Sequence, residues 1–119
     1  MATHNDLGEQ GEQLAVEFLQ KKGYQILDRN WRYKKAEVDI IAQKGAVLVI
    51  VEVKTRSSNY FGNPQDFINQ KKVQLLVEAA NEYVISKDLN VEVRFDIVSI
   101  LKNKQAFNIE HLKDAFLHF

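Results

Sequence analysis

Two acidic residues and a lysine in the middle of the chain have the types and the spacing that metal-assisted phosphodiester hydrolysis requires. Asp39 lies within the segment 36–42, and Glu52 and Lys54 end the aliphatic run 47–54. Carboxylate oxygens that converge on one point suit a hard cation such as Mg²⁺, and a neighbouring lysine could orient a water molecule or help to deprotonate it. These three residues are the first candidates for a functional site.

The segments that carry these residues predict a β-hairpin within a larger sheet. Residues 36–43 and 46–54 read as strands, and Lys44 and Gly45 form a tight turn between them. A preceding strand over 24–32 would extend the hairpin to an antiparallel meander of three strands.

The register of the hairpin determines which polar side chains meet. With the residues next to the turn facing each other, Asp39 lies opposite Ile50. The same register sets Glu37 opposite Glu52. Because side chains alternate between the two faces of a strand, these three acids and Lys54 would share one face of the sheet.

Both faces of the third strand are expected to be covered. The face opposite to Glu52 carries four valines, Val47, Val49, Val51 and Val53. An acid at the end of a strand buried on both sides either pairs with a cation or binds one, since an uncompensated carboxylate there is costly. The plainest structural interpretation is an ion pair of Lys54 with Glu52 or Glu37 at the sheet edge, and short motifs of this kind also arise by chance.

Two helices are predicted from apolar periodicity. The first covers about 6–22, between the start signal Asn5-Asp6 and Gly23. The second begins after Asn69, a residue type that caps helices, and carries a one-sided apolar stripe. This stripe comprises Val73, Leu76, Val77, Ala80, Tyr83 and Val84.

The remaining elements complete an α/β fold in one domain over 1–119. A fourth strand is predicted over 91–101, followed by a short strand near 105–109 and a helical turn over 110–117. The loop over 55–64, which contains the only proline, is a candidate substrate-facing segment. The order α-β-β-β-α-β predicts a mixed central sheet flanked by helices.

Composition limits the function classes. Sixteen acidic and sixteen basic residues give 119 residues a net charge of zero, which offers no support to a nucleic-acid partner. The absence of cysteine excludes thiolate chemistry and suits a reducing cytoplasm. No apolar run approaches the length of a membrane span, so we expect a soluble cytoplasmic protein without a membrane partner.

Basic residues are nevertheless clustered. The segment 31–35 interleaves aromatic rings with Arg32, Lys34 and Lys35, as do surfaces that grip phosphate and stack on bases. A hairpin tip with an inward Trp31 explains the same pattern equally well. Further candidates for phosphate contact are Arg56 and the pair Lys71-Lys72, for which solvated surface is the simpler interpretation.

Longer motifs along the chain match a known family. They are Gly8-x-x-Gly11-Glu12-x-x-Ala15-x-x-Phe18-Leu19-x-x-x-Gly23-Tyr24, Glu37-x-Asp39, Val51-Glu52-Val53-Lys54-Thr55-Arg56, Phe61-Gly62-x-Pro64 and Arg94-Phe95-Asp96. Together they resemble the YraN-like family. Asp39 with Glu52-x-Lys54 on adjacent strands also resembles the PD-(D/E)XK nuclease superfamily, and the chain is more distantly similar to archaeal Holliday junction resolvases.

The resemblance implies a restriction endonuclease-like core and a role for each matching residue. Asp39 and Glu52 would bind Mg²⁺ or Mn²⁺ together with the Val53 carbonyl, and Lys54 would position the attacking water. Glu12 would match an acid that completes the metal site of the resolvases.

Some other positions match the motifs of the family, and two differ from them. Gly8, one turn before Glu12, would leave room for a close approach to the first helix. Asp96 matches the family pattern, and a buried hydrogen-bonding role is the better default for it. Val38 replaces the proline of the nuclease motif and Ala36 a glycine common in YraN-like sequences, and neither change removes a ligand.

Two functional hypotheses from different classes follow. The first is a metal-dependent endonuclease or exonuclease that hydrolyses DNA, including branched or repair intermediates, and action on a junction would require a homodimer. The second is a non-catalytic nucleic-acid-binding or scaffold protein that keeps the nuclease fold, as the zero net charge and the altered residues around Asp39 indicate. A purely structural ion-pair cluster is the third interpretation.

Overall fold

Helices and strands follow one another in the predicted order in the computed structural model, which describes residues 4–57, 68–104 and 106–116. The elements are α1 (His4–Lys21), β1 (Gln25–Tyr33), β2 (Ala36–Lys44), β3 (Val47–Ser57), α2 (Gln70–Ser86), β4 (Glu92–Lys102) and β5 (Phe107–Leu112). The α/β class and the order α-β-β-β-α-β are confirmed, and a fifth strand follows.

The five strands form one mixed sheet in the order β1-β2-β3-β4-β5. The first three strands are antiparallel neighbours, as the predicted meander requires. Strands β3 and β4 are parallel, so the chain must cross from one end of the sheet to the other between them, and α2 lies in this crossover. Strand β5 then pairs antiparallel with β4.

The predictions for the segments that follow the third and fourth strands need correction. The helical turn predicted over 110–117 is wrong for 110–112, which belong to β5 because they find backbone partners on the edge of β4. A turn covers 113–116. The loop predicted over 55–64 is wrong at its start, since β3 stays paired with β4 as far as Ser57. The remainder of that loop and the motif Phe61-Gly62-x-Pro64 lie outside the described residues.

Each face of the sheet carries one helix and one apolar cluster. On the α1 face, Ala15, Val16 and Leu19 pack with side chains of the sheet that include Ile40, Val49, Val51, Val98 and Ile100. On the α2 face, Leu76, Ala79, Ala80 and Tyr83 pack with Ile41, Leu48, Ile50 and Ile97, among others. Strand β3 is therefore buried from both sides, as its alternation of aliphatic residues predicts.

Helix α2 begins as predicted but is rotated slightly from the predicted stripe. The Asn69 side chain caps it by accepting a hydrogen bond from the Lys72 backbone N–H at 2.8 Å. Val77 of the predicted stripe is 46% exposed, whereas Ala79 is buried. The face of α2 that packs on the sheet is formed by its buried residues Leu76, Ala79, Ala80 and Tyr83.

The β2–β3 hairpin closes one residue later than predicted. Its two-residue loop is Gly45-Ala46, with Lys44 facing Val47. Gly45 has a φ of +60°, a left-handed conformation that favours glycine at the first position of such a loop. The predicted pairs of Asp39 with Ile50 and of Glu37 with Glu52 are therefore wrong, because moving the loop by one residue shifts every pair by two.

The candidate residues lie where β2 and β3 separate. The last pair between these strands is Ile40 with Val51, so Asp39 and Glu52 are the next residues on each strand. Beyond this point β2 remains paired with β1 and β3 with β4. We refer to this divergence at Asp39 and Glu52 as the fork.

Strand β2 also changes its alternation at the fork. Val38 packs in the cluster on the α2 face, whereas Ile40, two residues away, packs on the α1 face. On the neighbouring strand Asn30 has a φ of +52°, a left-handed conformation within β1. Asp39 therefore lies where the regular alternation of side chains along β2 is interrupted.

Helix α1 approaches β3 closely at Gly11. A Cβ atom on Gly11 would lie 1.9 Å from Thr55 Oγ1 and 2.9 Å from Thr55 Cβ. A Cβ atom on Gly8 would meet no atom of the described residues within 4 Å. The close contact between α1 and β3 is therefore made at Gly11, whereas Gly8 borders open space.

We expect Gly11→Ala to lower the free energy of unfolding by about 1–3 kcal/mol, because the new methyl group forces α1 away from Thr55. Gly8→Ala is the matched control on the same helix. It should raise stability by about 0.5–1 kcal/mol through helix propensity alone. Urea unfolding of both variants tests this, and equal stabilities would contradict the packing of α1 on β3.

Candidate active site

A cavity of about 500 Å³ opens at the fork on the side of α1. We call it the fork cavity. It is lined by Leu7, Gly8, Glu9 and Glu12 from α1, by Asp39 from β2, and by Val53, Lys54, Thr55 and Arg56 from β3. The fold therefore brings Glu12, Asp39, Val53 and Lys54, which were predicted for catalysis or metal binding, to one cavity from three separate elements. Glu52 does not line this cavity and instead pairs with Lys72 of α2.

Asp39 lines this cavity, and the pKa of its carboxyl group is raised. Its Oδ2 accepts a hydrogen bond from the Val53 backbone N–H at 2.7 Å. Burial and repulsion by Glu52, with a smaller contribution from Glu12, raise the pKa of Asp39 from 3.8 to about 7, against the Val53 hydrogen bond and the charge of Lys72, which lower it. Two carboxylates that repel each other in a buried place favour binding of a cation between them.

Glu52 is almost completely buried and is contacted by two lysines. Its side chain is 4% exposed, and its Oε2 lies 3.4 Å from Lys54 Nζ. The same oxygen forms an ion pair with Lys72 Nζ from α2. The ion pair of Glu52 with Lys54 expected from sequence is present, whereas Glu37 pairs with Arg32 on β1 at 2.7 Å.

Lys72 was considered with Lys71 only as a candidate for phosphate contact, and its ion pair with Glu52 was not predicted. Position 72 is in helical phase with the buried residues Leu76 and Ala79, whereas Lys71 is exposed. Helix phase is therefore the signal that separates the two lysines.

Glu12 reaches the fork cavity but is held by β1. Its Oε1 accepts a hydrogen bond from Asn30 Nδ2 at 2.9 Å and lies 3.4 Å from Arg29 Nη2. In the part of the chain that the structure describes, no three acidic or histidine side chains converge as a preformed metal cage. The acids that approach each other most directly at the fork are Asp39 and Glu52.

The residues at the fork fit a hard divalent cation. Asp39 and Glu52 supply carboxylate oxygens, the ligand type that Mg²⁺ and Mn²⁺ prefer. Burial and repulsion by Glu52 raise the pKa of Asp39, so a cation bound beside it would favour its ionised form. Val53 contributes its N–H to Asp39, which fixes the carboxylate orientation.

The predicted phosphate-binding residues fall into separate places. Arg56 lines the fork cavity, and its Nη1 donates to the Thr55 carbonyl at 2.9 Å. Lys35 and Lys71 line a second cavity of about 360 Å³ on the side of α2, which we call the helix cavity. Its other lining residues are Ala36, Glu37, Asn69, Lys72, Leu75 and Leu76.

The aromatic hairpin tip is partly structural. Trp31 packs edge-to-face on Tyr83 of α2, with ring centroids 5.1 Å apart, which confirms the inward orientation considered above. Lys34 Nζ lies 5.3 Å from the ring centroid of Tyr33. Arg32 is 78% exposed on its side chain and pairs with Glu37. The structure does not bring Arg32 and Lys34 into either cavity.

Asp96 serves as the centre of a buried polar cluster apart from the fork cavity. It is fully buried and accepts two hydrogen bonds of 2.9 Å from Arg94, one of 2.7 Å from His111 and one of 3.2 Å from the Asp114 N–H. Burial opposes ionisation of Asp96, but these hydrogen bonds and the charge of Arg94 outweigh it and lower its pKa. The default expectation of a hydrogen-bonded buried aspartate is confirmed.

Among the described residues, no helix has the length and apolar character needed to cross a membrane.

Comparisons with known proteins find relatives that the chain matches over nearly their whole length. A family model described as "Uncharacterised protein family UPF0102" matches residues 11–100. A UPF0102 protein of Flavobacterium psychrophilum is 66% identical over 119 residues, covering 100% of both chains. Another from Phocaeicola vulgatus is 40% identical over 116 residues, covering 98% of this chain and 96% of the relative. The chain therefore belongs to the UPF0102 family, the YraN-like family that its motifs resemble.

Proposed function

We propose that this protein is a divalent-metal-dependent nuclease that hydrolyses phosphodiester bonds of DNA at the fork. The observation that carries the proposal is the juxtaposition of Asp39 and Glu52 at the point where β2 and β3 separate. Lys54 lies 3.4 Å from Glu52 and lines the fork cavity together with Asp39. The order of elements around this fork supports placement in the PD-(D/E)XK superfamily.

Each residue at the fork has a distinct part in this proposal. Asp39 and Glu52 would hold Mg²⁺ or Mn²⁺, and the Val53 carbonyl is the backbone ligand that the family resemblance implies. The bound ion would neutralise charge on a phosphate oxygen and lower the pKa of a coordinated water. Lys54 lines the fork cavity, where its ammonium can orient a water molecule or a phosphate oxygen.

Glu12 has a supporting part. It lines the cavity and adds to the repulsion that raises the pKa of Asp39. Its hydrogen bond from Asn30 ties α1 to the twisted part of β1. This contact keeps one wall of the cavity in place.

DNA is the proposed substrate because cations flank the fork on both sides. Arg56 lies in the fork cavity, and Lys35 and Lys71 lie in the helix cavity. A DNA strand that crosses the fork could therefore place its phosphates near cations on either side of the scissile bond. Branched or repair intermediates are included, and cleavage of a junction on two strands would require a homodimer.

A cleavage assay with branched, flapped and linear DNAs tests the proposed function. We expect cleavage with Mg²⁺ or Mn²⁺, loss of cleavage with EDTA, and a reduction of at least about a hundredfold in Glu52→Gln, which removes a metal ligand. Glu37→Gln is the matched control, because Glu37 pairs with Arg32 instead. A folded Glu52→Gln protein that cleaves as fast as the wild type would refute the proposal.

A non-catalytic nucleic-acid-binding or scaffold protein is the second candidate. The observation that favours it is that two lysines already contact Glu52, so this acid is compensated by the protein itself. Calorimetric titration with Mn²⁺ separates the two candidates. Site-specific binding that disappears in Asp39→Ala would count against a scaffold role, and absence of binding would favour it.

A further inference from the structure

Lys72 connects the second helix to the acid at the centre of the proposed site. It extends from the first turn of α2 and forms an ion pair with Glu52 Oε2. Lys54 contacts the same oxygen from β3 at 3.4 Å. One buried carboxylate oxygen is therefore shared by two ammonium groups, one from each of the elements that meet there.

The two lysines differ in what surrounds them. Lys54 lines the fork cavity, whereas Lys72 lines the helix cavity. The Lys72 side chain is 35% exposed, and that of Lys54 is 20% exposed. The helix cavity thus gives Lys72 a solvent-accessible volume of about 360 Å³ beside its present position.

A lysine and a divalent cation place conflicting demands on one carboxylate oxygen. Lysine is a hydrated point charge on a flexible four-carbon stem, so it can leave a carboxylate at little conformational cost. A divalent ion bound to Glu52 would repel an ammonium group held at the same oxygen. Lys54 lines the fork cavity, where the proposed function places the substrate, whereas Lys72 lines the helix cavity on the other side. The ammonium that can leave Glu52 without entering the fork cavity is therefore that of Lys72.

We propose that Lys72 and the divalent cation compete for Glu52, so that loading of the metal site displaces the Lys72 ammonium into the helix cavity. This inference rests on the metal site of the proposed function. Lys72 is then a positioning residue that holds Glu52 in place before the ion arrives. In the displaced position it joins Lys35 and Lys71, which line the same cavity.

Titration with Mn²⁺ at about pH 8 measures this competition directly. Lys72→Met removes the ammonium but keeps an apolar stem, and we expect it to bind Mn²⁺ about 3–10-fold more tightly than the wild type, as expected for loss of one competing ion pair. Lys71→Met is the matched control, since it removes the same charge from the neighbouring exposed position. Its affinity should stay within about twofold of wild type.

Thermal unfolding supplies a readout that does not depend on activity. Without added metal, Lys72→Met should melt at a lower temperature than Lys71→Met, because buried Glu52 has lost one of its two cations. Added Mn²⁺ should raise the melting temperature of Lys72→Met by more than that of the wild type. If Lys72→Met does not fold, Lys72→Gln serves in both measurements.

The outcomes separate this inference from the proposed function. Wild-type protein that binds Mn²⁺ with the same affinity as Lys72→Met, or more tightly, overturns the competition and leaves the nuclease proposal standing. Absence of Mn²⁺ binding to both proteins overturns the metal site and the competition together. Binding that appears only in Lys72→Met supports the competition in its strongest form.

Discussion

Replacement of Asp39 by asparagine is expected to stabilise the protein at about pH 8 in the absence of divalent metal by about 1–3 kcal/mol, while cleavage falls at least about a hundredfold. The asparagine side-chain oxygen can still accept the hydrogen bond from the Val53 N–H that Asp39 accepts at 2.7 Å. It carries no charge to be repelled by Glu52. Stability and activity should therefore change in opposite directions.

The raised pKa of Asp39 determines how the stability of the wild type changes with pH. Burial and repulsion by Glu52 raise the pKa of Asp39 from 3.8 in an ordinary environment to about 7 in the folded protein. The folded state therefore holds this proton more tightly than the unfolded state. The stability contributed by protonated Asp39 is complete below about pH 4 and is lost as the pH rises through about 7.

Urea unfolding of wild type and Asp39→Asn between about pH 4 and pH 8 tests this account. The difference in unfolding free energy should be small at the acid end and grow in favour of Asp39→Asn as the pH rises. Mn²⁺ should stabilise the wild type more than the variant. Glu37→Gln, on the same strand but paired with Arg32, is the control and should shift stability by less than about 1 kcal/mol. A variant less stable than wild type at about pH 8 would instead indicate a structural role for Asp39.

Asp96→Asn is expected to destabilise the protein by about 3–5 kcal/mol at neutral pH, the cost of removing one partner from a buried charge pair. Arg94 would lose the charge opposite its guanidinium, and His111 would lose its 2.7 Å contact with a carboxylate. The pKa of Asp96 is lowered, so the stability it contributes is present above its unfolded value and is lost as the pH falls below about 4. Wild type and variant should therefore converge in stability at low pH.

Urea unfolding at neutral and acidic pH measures the effect of Asp96→Asn. Glu92→Gln, an exposed acid on the same strand, is the control and should change stability by less than about 0.5 kcal/mol. Under conditions where Asp96→Asn remains folded, its Mn²⁺ affinity should match that of the wild type, because the hydrogen-bond partners of Asp96 are Arg94, His111 and the Asp114 N–H, which lie apart from the fork. A neutral effect on stability with lost Mn²⁺ binding would show that Asp96 serves the metal site instead.

Much of the fold is predictable because the local signals agree with the tertiary structure. The periodicity of both helices, the N-cap at Asn69 and the aliphatic strands all predict the elements that form. Asp39 and Glu52 lie next to each other at the fork although the predicted register of the hairpin is wrong. Moving the hairpin loop by one residue shifts pairing by two, and an even shift leaves the side chains of the paired segment 40–44 on their predicted faces. The change of alternation in β2 at the fork, between Val38 and Ile40, was not predicted.

The features that sequence reasoning missed depend on contacts between distant segments. Residues 110–112 form a strand because the edge of β4 provides backbone partners, which local propensity does not report. The hydrogen bond that Glu12 accepts comes from Asn30, a residue of β1 with a left-handed conformation that local sequence does not indicate. The choice of Lys72 over Lys71 as the lysine that faces the sheet could have been predicted, by contrast, because helix phase separates the two residues.

The most direct test of the metal site is anomalous diffraction from crystals soaked in Mn²⁺. We predict one ion at the fork, about 2.0–2.6 Å from carboxylate oxygens of both Asp39 and Glu52, with the Lys72 ammonium moved away from Glu52. An anomalous map with no ion at the fork, and with Lys72 still paired with Glu52, would contradict the account.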